Sequence, residues 1–349
     1  MRLVFFYTHA RNVSPVDLIT DGLTFMFQKM IEAGIIDECL CIIDSYNLVP
    51  DHTIISKGLT CAVINDINQS RCMMREDDII FIRGGFKPWI DLINELRSKN
   101  HWIIFYGANT GNERWGFWDI VLDDLSGQTN INKNGSLQLE YFKPVNEEMF
   151  YNTNQERIYD VMIGASHVHD KKGQWKVIDA IIEYEKQTGT KLKCVLTGSF
   201  QRGVETGKIM QKIIEHKLDV TLTGMLLRAE LAKIYNQSKL LIKMGGGQND
   251  RSVLEAMACG CFVLQEFPRY SAPFTRIPEI VSNQEKTISA IKSLLFIVDA
   301  DTHINISTDY MKDSGMSEVI IPNMEKLFNF FKKYPKADKT KLIELMGVK

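Results

Sequence analysis

The sequence predicts an α/β protein built from two doubly wound parallel sheets. Three observations carry that expectation. Short β-rich runs alternate with amphipathic helical stretches from end to end, and strands separated by helices of this length pair in parallel. A polar, turn-rich stretch over 126–135, followed by Asn152, Thr153 and Asn154, interrupts the alternation before it restarts. The length of 349 residues exceeds what one ordinary core organises and suits two. The expected domains are 1–150 and 151–310, followed by a helical, basic tail over 311–349 whose expected place is back against the first domain.

In the first half, the apolar run 3–7 reads as a strand, and a polar loop with His9, Arg11 and Asn12 follows it. A helix is expected over 17–33, because Ile19, Leu23, Met26, Phe27 and Met30 fall on one helical side. Gly34 supplies its stop. Further strands are expected over 38–43, 61–64 and 79–83. Gly84 and Gly85 then break the chain, Pro88 opens a helix running to Leu96, and 102–106 is the next strand. The stretch 119–122 reads as the last strand of this half. In the second half, strands are expected over 161–163, 192–197, 220–222, 240–244 and 262–265. Helices fall between them over 174–186, 204–216, 227–236 and 252–259. Ligands of such sheets sit beyond the carboxyl ends of the strands.

Composition excludes several classes. Apolar residues at 45% and charged residues at 24% mark a folded chain, neither disordered nor fibrous. Lys and Arg number 41 against 43 Asp and Glu, a net charge of -2, so there is no long-range basic field for nucleic acid and no nucleic-acid partner is expected. No apolar run approaches the ~20 residues of a membrane-spanning helix. The run 3–7 is too short for a signal-peptide core. The basic, weakly amphipathic stretch 328–336 allows at most peripheral membrane contact. Seven scattered cysteines without CxxC spacing argue against zinc and redox sites, and a cytoplasmic location with reduced thiols is expected.

Three strand-to-helix loops of the second half carry the candidate chemistry. In the first, Lys171, Lys172 and Gly173 precede a helix, where side-chain charge and backbone N–H groups together hold a phosphate. A solvated loop with two exposed lysines is the competing reading. His167 and His169 lack a third ligand, so no metal is expected there. In the second loop, Thr223, Gly224, Met225 and Leu226 offer a flexible turn and an apolar slot for a flat base, although plain packing explains them too. The third is the strongest: Gly245, Gly246 and Gly247 follow a strand, and Asn249 or Asp250 caps the next helix. Glu255 stands about one turn inside that helix, within reach of a ribose diol.

These loops bring a resemblance into view. The segments "LTGMLLRAELAKIYNQSKLLIKM" and "SVLEAMACGCFVLQE" resemble the donor-binding half of family-four GT-B glycosyltransferases. "GASHVHDKKGQWKVIDAI" and "CVLTGS" match that family's lysine-glycine turn and its next strand and glycine turn. The likeness covers about residues 158–266, and "MRLVFFY", "IEAG" and "DDIIFIRGG" fall where the family has its acceptor domain. It implies a GT-B fold, two Rossmann-like doubly wound domains facing across a cleft. It also implies that Glu255 binds the nucleotide ribose, Lys172 the diphosphate, and the amides of Arg251 and Ser252 the phosphate oxygens. Gly224 with Thr223 and Met225 would line the base, and Gly198, Gly246 and Gly247 would border the donor.

Three positions depart from the family pattern. Gly247 stands where a second glutamate touches the donor sugar, Ala165 where an arginine follows the first glycine, and Arg83 where a histidine ends an acceptor-side strand. Gln248 or Asp250 is expected to replace the sugar contact, and Arg251 the missing cation. Arg83, His9 and Asp250 are the candidate catalytic residues, with His9, Arg83 and Asn109 on the acceptor side. Asp299-Ala300-Asp301 resembles the DxD motif of the other glycosyltransferase fold but falls after the second sheet, and is read as a strand end.

The implied activity is transfer of a hexose, deoxyhexose or pentose from a UDP- or GDP-sugar to a glycan or glycoprotein acceptor. Retention, no metal and no cofactor are implied with it. Only about a dozen residues separate Gly107 from Asp119, and so short an excursion leaves an open site suited to an extended glycan. Two alternatives stay open: a non-catalytic nucleotide-sugar-binding protein, and a sugar-nucleotide epimerase on the same frame. A dinucleotide dehydrogenase is disfavoured because no GxGxxG follows the first strand of either half.

Overall fold

The fold was read from a computed structural model, which describes residues 1–7, 21–43, 52–64, 66–83, 89–106, 118–123, 130–131, 135–140, 143–164, 167–168, 173–200, 204–243, 251–265, 288, 291–292 and 317–347. The chain divides into two compact units. One comprises Met1–Pro144 together with Ser317–Lys349, and the other Val145–Met316.

The first unit contains strands β1 (Arg2–Tyr7), β2 (Glu38–Ile43), β3 (His52–Ser56), β4 (Leu59–Val63), β5 (Ile79–Arg83), β6 (Ile103–Tyr106), β7 (Ile120–Asp123), β8 (Asn130–Ile131) and β9 (Leu137–Glu140). They form one sheet in the order β3-β4-β2-β1-β5-β6-β7-β9-β8. The ladders are parallel except at the two edges, where β3 and β8 run antiparallel to β4 and β9. Its helices are α1 (Gly22–Glu32), α2 (Ile67–Met73) and α3 (Ile90–Ser98).

Alternation along β1 decides the layering. Leu3, Phe5 and Tyr7 join a core with Leu23, Met26, Phe27 and Met30 of α1. Val4 and Phe6 join the opposite core with Leu92, Ile93 and Leu96 of α3, together with Trp89 and Trp118. A strand buried on both faces reads as a continuous apolar run, which is why 3–7 shows no alternation in sequence. Helix α1 starts at Gly22, where the Asp21 carboxylate accepts the Leu23 N–H at 2.9 Å and fixes the first turn, and residues 17–20 of the expected helix, Ile19 among them, lie outside the described residues.

The first sheet does not end at 119–122. Strand β9 pairs beyond β7, with Ile120 opposite Leu137, and β8 lies within the stretch expected to be all turn. Strand β3 and helix α2 were likewise missed by periodicity, being short pieces of five and seven residues. The chain returns to this unit through α8 (Ser317–Lys333) and α9 (Lys339–Met346). Ile320, Met324, Leu327, Phe328 and Phe331 of α8 lie in the same core as α1. The apolar side of 328–336 therefore faces protein, with Phe328 and Phe331 fully buried.

The second unit contains strands β10 (Tyr159–Ile163), β11 (His167–Val168), β12 (Lys193–Thr197), β13 (Ser199–Phe200), β14 (Asp219–Gly224), β15 (Ser238–Lys243) and β16 (Phe262–Gln265). Its helices are α4 (Gln174–Thr188), α5 (Val204–Glu215), α6 (Arg228–Asn236) and α7 (Arg251–Ala258). Five strands form a parallel sheet in the order β14-β12-β10-β15-β16, and β11 pairs with β13 separately. Val161, Ile163, Cys194 and Leu196 pack with α4 and α5 on one face. Met162, Val195 and Leu241 pack with α6 and α7 on the other. Arg157 ties this unit's helix ends together, donating to the carbonyls of Tyr235, Ser238 and Cys259 at 3.2, 2.6 and 2.9 Å.

Candidate functional site

In the second unit, chain order and sheet order diverge at β10. The chain moves outward from β10 to β12 and β14, then returns to the other side of β10 with β15 and β16. The carboxyl ends of β10 and β15 thus flank a topological switch point, the place where open α/β sheets bind ligands. Gly164 directly follows β10, and a Cβ added there would lie 2.8 Å from Leu241 Cδ1 of β15. A side chain at this position would displace the tip of the Leu241 side chain.

Strand β15 ends at Lys243, which is buried, and its Nζ donates to Ser252 Oγ at 2.8 Å. That bond joins the carboxyl end of β15 to the first turn of α7. Arg251, the first residue of α7, is buried as well. Two cations and a hydroxyl therefore gather at a helix start, whose amides and macrodipole favour an anion.

One turn further along α7, Glu255 is 4% exposed and its Oε1 accepts from Arg228 Nη1 at 2.7 Å. Arg228 opens α6. The ion pair thereby links the turn after β14 to α7. A cation in a helix's first turn opposes the macrodipole, and the Glu255 carboxylate offsets that cost.

Gly198, Thr223 and Gly224 meet at the carboxyl ends of β12 and β14. Gly198 N–H donates to the Gly224 carbonyl at 2.8 Å, and Thr223 Oγ1 donates to the same carbonyl at 3.0 Å. Gly198 and Gly224 hold φ of +116 and +70, in the region that favours glycine. Met225 is 65% exposed and Leu227 is 66% exposed, so the loop presents an apolar tip at the surface. Leu227 N–H donates to Glu230 Oε2 at 2.9 Å and so starts α6. The β11–β13 pair sets the loop after β10 beside the loop after β12. Lys172, Gly246, Gly247, Asp250 and His9 lie outside the described residues, as do Asn109 and Gln248.

The first sheet has its own switch point, since β2 and β4 lie to one side of β1 and β5 to β9 to the other. Three carboxyl-end residues stand side by side there in register: Tyr7 opposite Arg83, and Arg83 opposite Tyr106. The Arg83 guanidinium lies 4.9 Å from the Tyr7 ring centroid and 5.9 Å from that of Tyr106. Its Nη1 is 3.1 Å from Asp21 Oδ2, the cap of α1. Aromatic rings on two sides and a carboxylate on a third hold the cation in place.

Burial pushes the Cys261 thiol up to about 12 and raises those of Cys194 and Cys259 further. The Cys41 thiol is raised by its Cys39 neighbour and by burial. Among the described residues, no group of three or more His, Cys, Asp or Glu is arranged to hold a metal, and no helix is long and apolar enough to cross a membrane.

Sequence reasoning gave no role to Lys243 or Arg228 of the second unit, nor to Tyr7, Asp21 and Tyr106 around Arg83. Two of these left a readable signal. Lys243 is a cation closing an apolar buried strand, and Arg228 is a cation where a helix start disfavours one.

No family model matches the sequence, and no curated protein sequence matches it. Solved structures do resemble the chain. Sucrose-phosphate synthase from Thermosynechococcus elongatus superposes with a TM-score of 0.68 at 15% identity, over 96% of this chain and 100% of that one. A glycosyltransferase from Rickettsia africae gives 0.67 at 12% identity, over 95% and 98%. The Anabaena protein HepE, in complex with UDP and glucose, gives 0.64 at 11% identity, over 96% and 100%. These neighbours are GT-B glycosyltransferases matched over nearly their whole length, and this chain has the GT-B fold of two Rossmann-like domains.

Proposed function

We propose that the protein is a glycosyltransferase that moves a hexose, deoxyhexose or pentose from a nucleoside diphosphate sugar to a glycan or glycoprotein acceptor. The observation that carries this reading is the convergence at one switch point of Lys243, Arg251 and Ser252 with Glu255, one turn further along α7. A diphosphate needs cations and amide donors; a ribose needs a carboxylate acceptor. Both lie here within a single helix, in the order that a nucleoside diphosphate presents them.

The division of labour follows from that placement. Lys172, Lys243, Arg251 and the first amides of α7 neutralise the departing nucleoside diphosphate, a role for which no metal is required. Glu255 accepts from the ribose hydroxyls, and the turn at Gly198, Thr223 and Gly224 meets the base with Met225 beside it. Gly246 and Gly247 allow backbone to approach the donor closely, and Asp250 replaces the absent sugar carboxylate. Arg83 and His9 serve the acceptor. Retention at the anomeric carbon follows from the family resemblance, the leaving phosphate itself helping to deprotonate the acceptor hydroxyl. A cytoplasmic location is the reading that the scattered cysteines without CxxC spacing favour. HepE, seen with UDP and glucose, supports UDP-glucose as the first donor to try.

Gly247 favours a second reading, a nucleotide-sugar-binding protein without turnover, because that position lacks the carboxylate of the family pattern. One experiment separates the two. The protein is incubated with UDP- and GDP-sugars and a panel of glycan acceptors in chelator, and nucleoside diphosphate release and glycosylated product are followed. Release with product supports the transferase. Tight donor binding without release supports the binding protein, and an isomerised nucleotide sugar would sink both in favour of an epimerase.

A further inference from the structure

Resting on the donor reading above, we infer that Arg228 is a positioning residue: it holds Glu255 ready for a ribose diol and thereby sets a preference for ribonucleotides over 2′-deoxyribonucleotides. Three observations support it. Glu255 is 4% exposed, so solvent does little to orient its carboxylate. Arg228 Nη1 reaches Glu255 Oε1 at 2.7 Å from a different helix, so the contact fixes the carboxylate against a second element. Finally, Arg228 stands three residues after Met225 of the Thr223-Gly224-Met225 turn, which places the base-side loop and the ribose-side carboxylate under one constraint.

The physical consequence is specific. A carboxylate accepts two hydroxyls at once only while it is ionised and correctly rotated. A nearby guanidinium favours the ionised form and pins the rotamer by a charge-assisted bond. Without Arg228, the carboxylate loses the bond that ties it to α6 and its rotamer is no longer set against that helix. The second ribose hydroxyl then loses a correctly turned acceptor, while the proposed contacts to phosphate and base at Lys243, Arg251 and Gly224 are untouched by the change. Arg228 thus acts through Glu255, and its loss changes discrimination more than it changes overall affinity.

The test uses the full chain and isothermal titration with UDP, GDP, 2′-deoxy-UDP and 2′-deoxy-GDP. The wild type is expected to bind the ribonucleotide about tenfold more tightly than its deoxy counterpart, the size of one good hydrogen bond. Arg228→Gln and Glu255→Gln should each bring that ratio close to one, and Arg228→Lys should keep part of it. Arg228→Gln in the Glu255→Gln background should change the ratio no further. Thermal melts check that each variant folds, and Arg228→Lys carries the test if Arg228→Gln does not. An unchanged ratio in a folded Arg228 variant overturns the inference. So does an equal loss for both nucleotides, because that would make Arg228 a direct phosphate or base contact. A wild type that binds no nucleotide at all overturns the donor reading itself, an outcome visible before any variant is made.

Discussion

Lys339 Nζ of α9 stands 3.7 Å from Asp119 Oδ1, at the start of β7, and donates to the Trp118 carbonyl at 2.9 Å. The other carboxylate oxygen, Asp119 Oδ2, accepts the Ile103 N–H at 2.8 Å. A residue near the chain's end is thereby fastened to two central strands of the first sheet. Trp102 adds a second fastening, its indole N–H donating to the Tyr334 carbonyl at 2.7 Å.

Asp119 gives this region a pH dependence of definite sign. Burial raises its pKa from 3.8 to about 6, against the lowering effects of the Ile103 N–H, Lys339 and Arg97. The folded state therefore favours the protonated acid. That contribution is fully present below about pH 4 and is lost as pH rises through about 6. Measured against Asp119→Asn, wild-type stability should fall by about 2–3 kcal/mol between pH 4 and pH 7.5. Urea unfolding of both proteins across that range measures the difference, and a flat one would show that Lys339 fully compensates for burial.

Phe328 tests whether α8 belongs to the core of the first unit or merely covers it. Its ring is fully buried and lies 5.3 Å from that of Phe331, which in turn is 4.9 Å from Trp102. Phe328→Ala should lower the stability of this unit by about 3–5 kcal/mol, as a large cavity in a packed core does. Denaturant unfolding followed by tryptophan fluorescence reads it directly. A loss within about 0.5 kcal/mol, the size of a surface effect, would make α8 peripheral.

How legible these features were in the sequence depended on what each one rests upon. Runs buried on both faces, such as Leu3 to Tyr7 and Leu240 to Ile242, announce parallel strands in sequence alone, whereas the two-residue strands β11 and β13 of the second unit were not expected. Gly224 could be read locally as a turn glycine, whereas Gly198 was named only through the family resemblance. What could not be read is partnership across distance. Nothing near Arg228 points to Glu255, 27 residues away, and nothing near Trp102 points to Tyr334. Strand β9 was invisible because Leu137 to Glu140 is too short to show a period, and its pairing with β7 and β8 decides its fate. The loops holding Lys172 and Gly246 are placed by motif, and their roles rest on the resemblance.

Arg251 bears on the missing cation of the proposed diphosphate site. It opens α7 beside Ser252, whose hydroxyl already engages Lys243. Arg251→Ala should weaken UDP or GDP binding about tenfold to a hundredfold, the range of a charge-assisted hydrogen bond of ~1.5–3 kcal/mol. Titration calorimetry measures it, with a melting curve to confirm the fold. Unaltered nucleotide affinity would remove Arg251 from the site and leave Lys243 and Lys172 as its cations.

Arg83 makes the corresponding claim for the acceptor. Its guanidinium is held between Tyr7 and Tyr106 and paired with Asp21, so its position is set before any ligand arrives. A preorganised donor fork of this kind suits hydroxyl or carboxylate groups of a sugar ring. Arg83→Lys keeps the charge and loses the planar fork, and should raise the acceptor KM by roughly tenfold. Arg83→Ala should raise it further and also expose the loss of the Asp21 pair as lowered stability. In both variants the donor KM should stay unchanged, because the proposed donor contacts belong to the second unit. Initial rates with donor and acceptor varied separately supply the comparison. Equal changes in both Michaelis constants would mean that Arg83 acts on the fold as a whole, and an unchanged acceptor KM in Arg83→Lys would reduce the residue to a cation that anchors the start of α1.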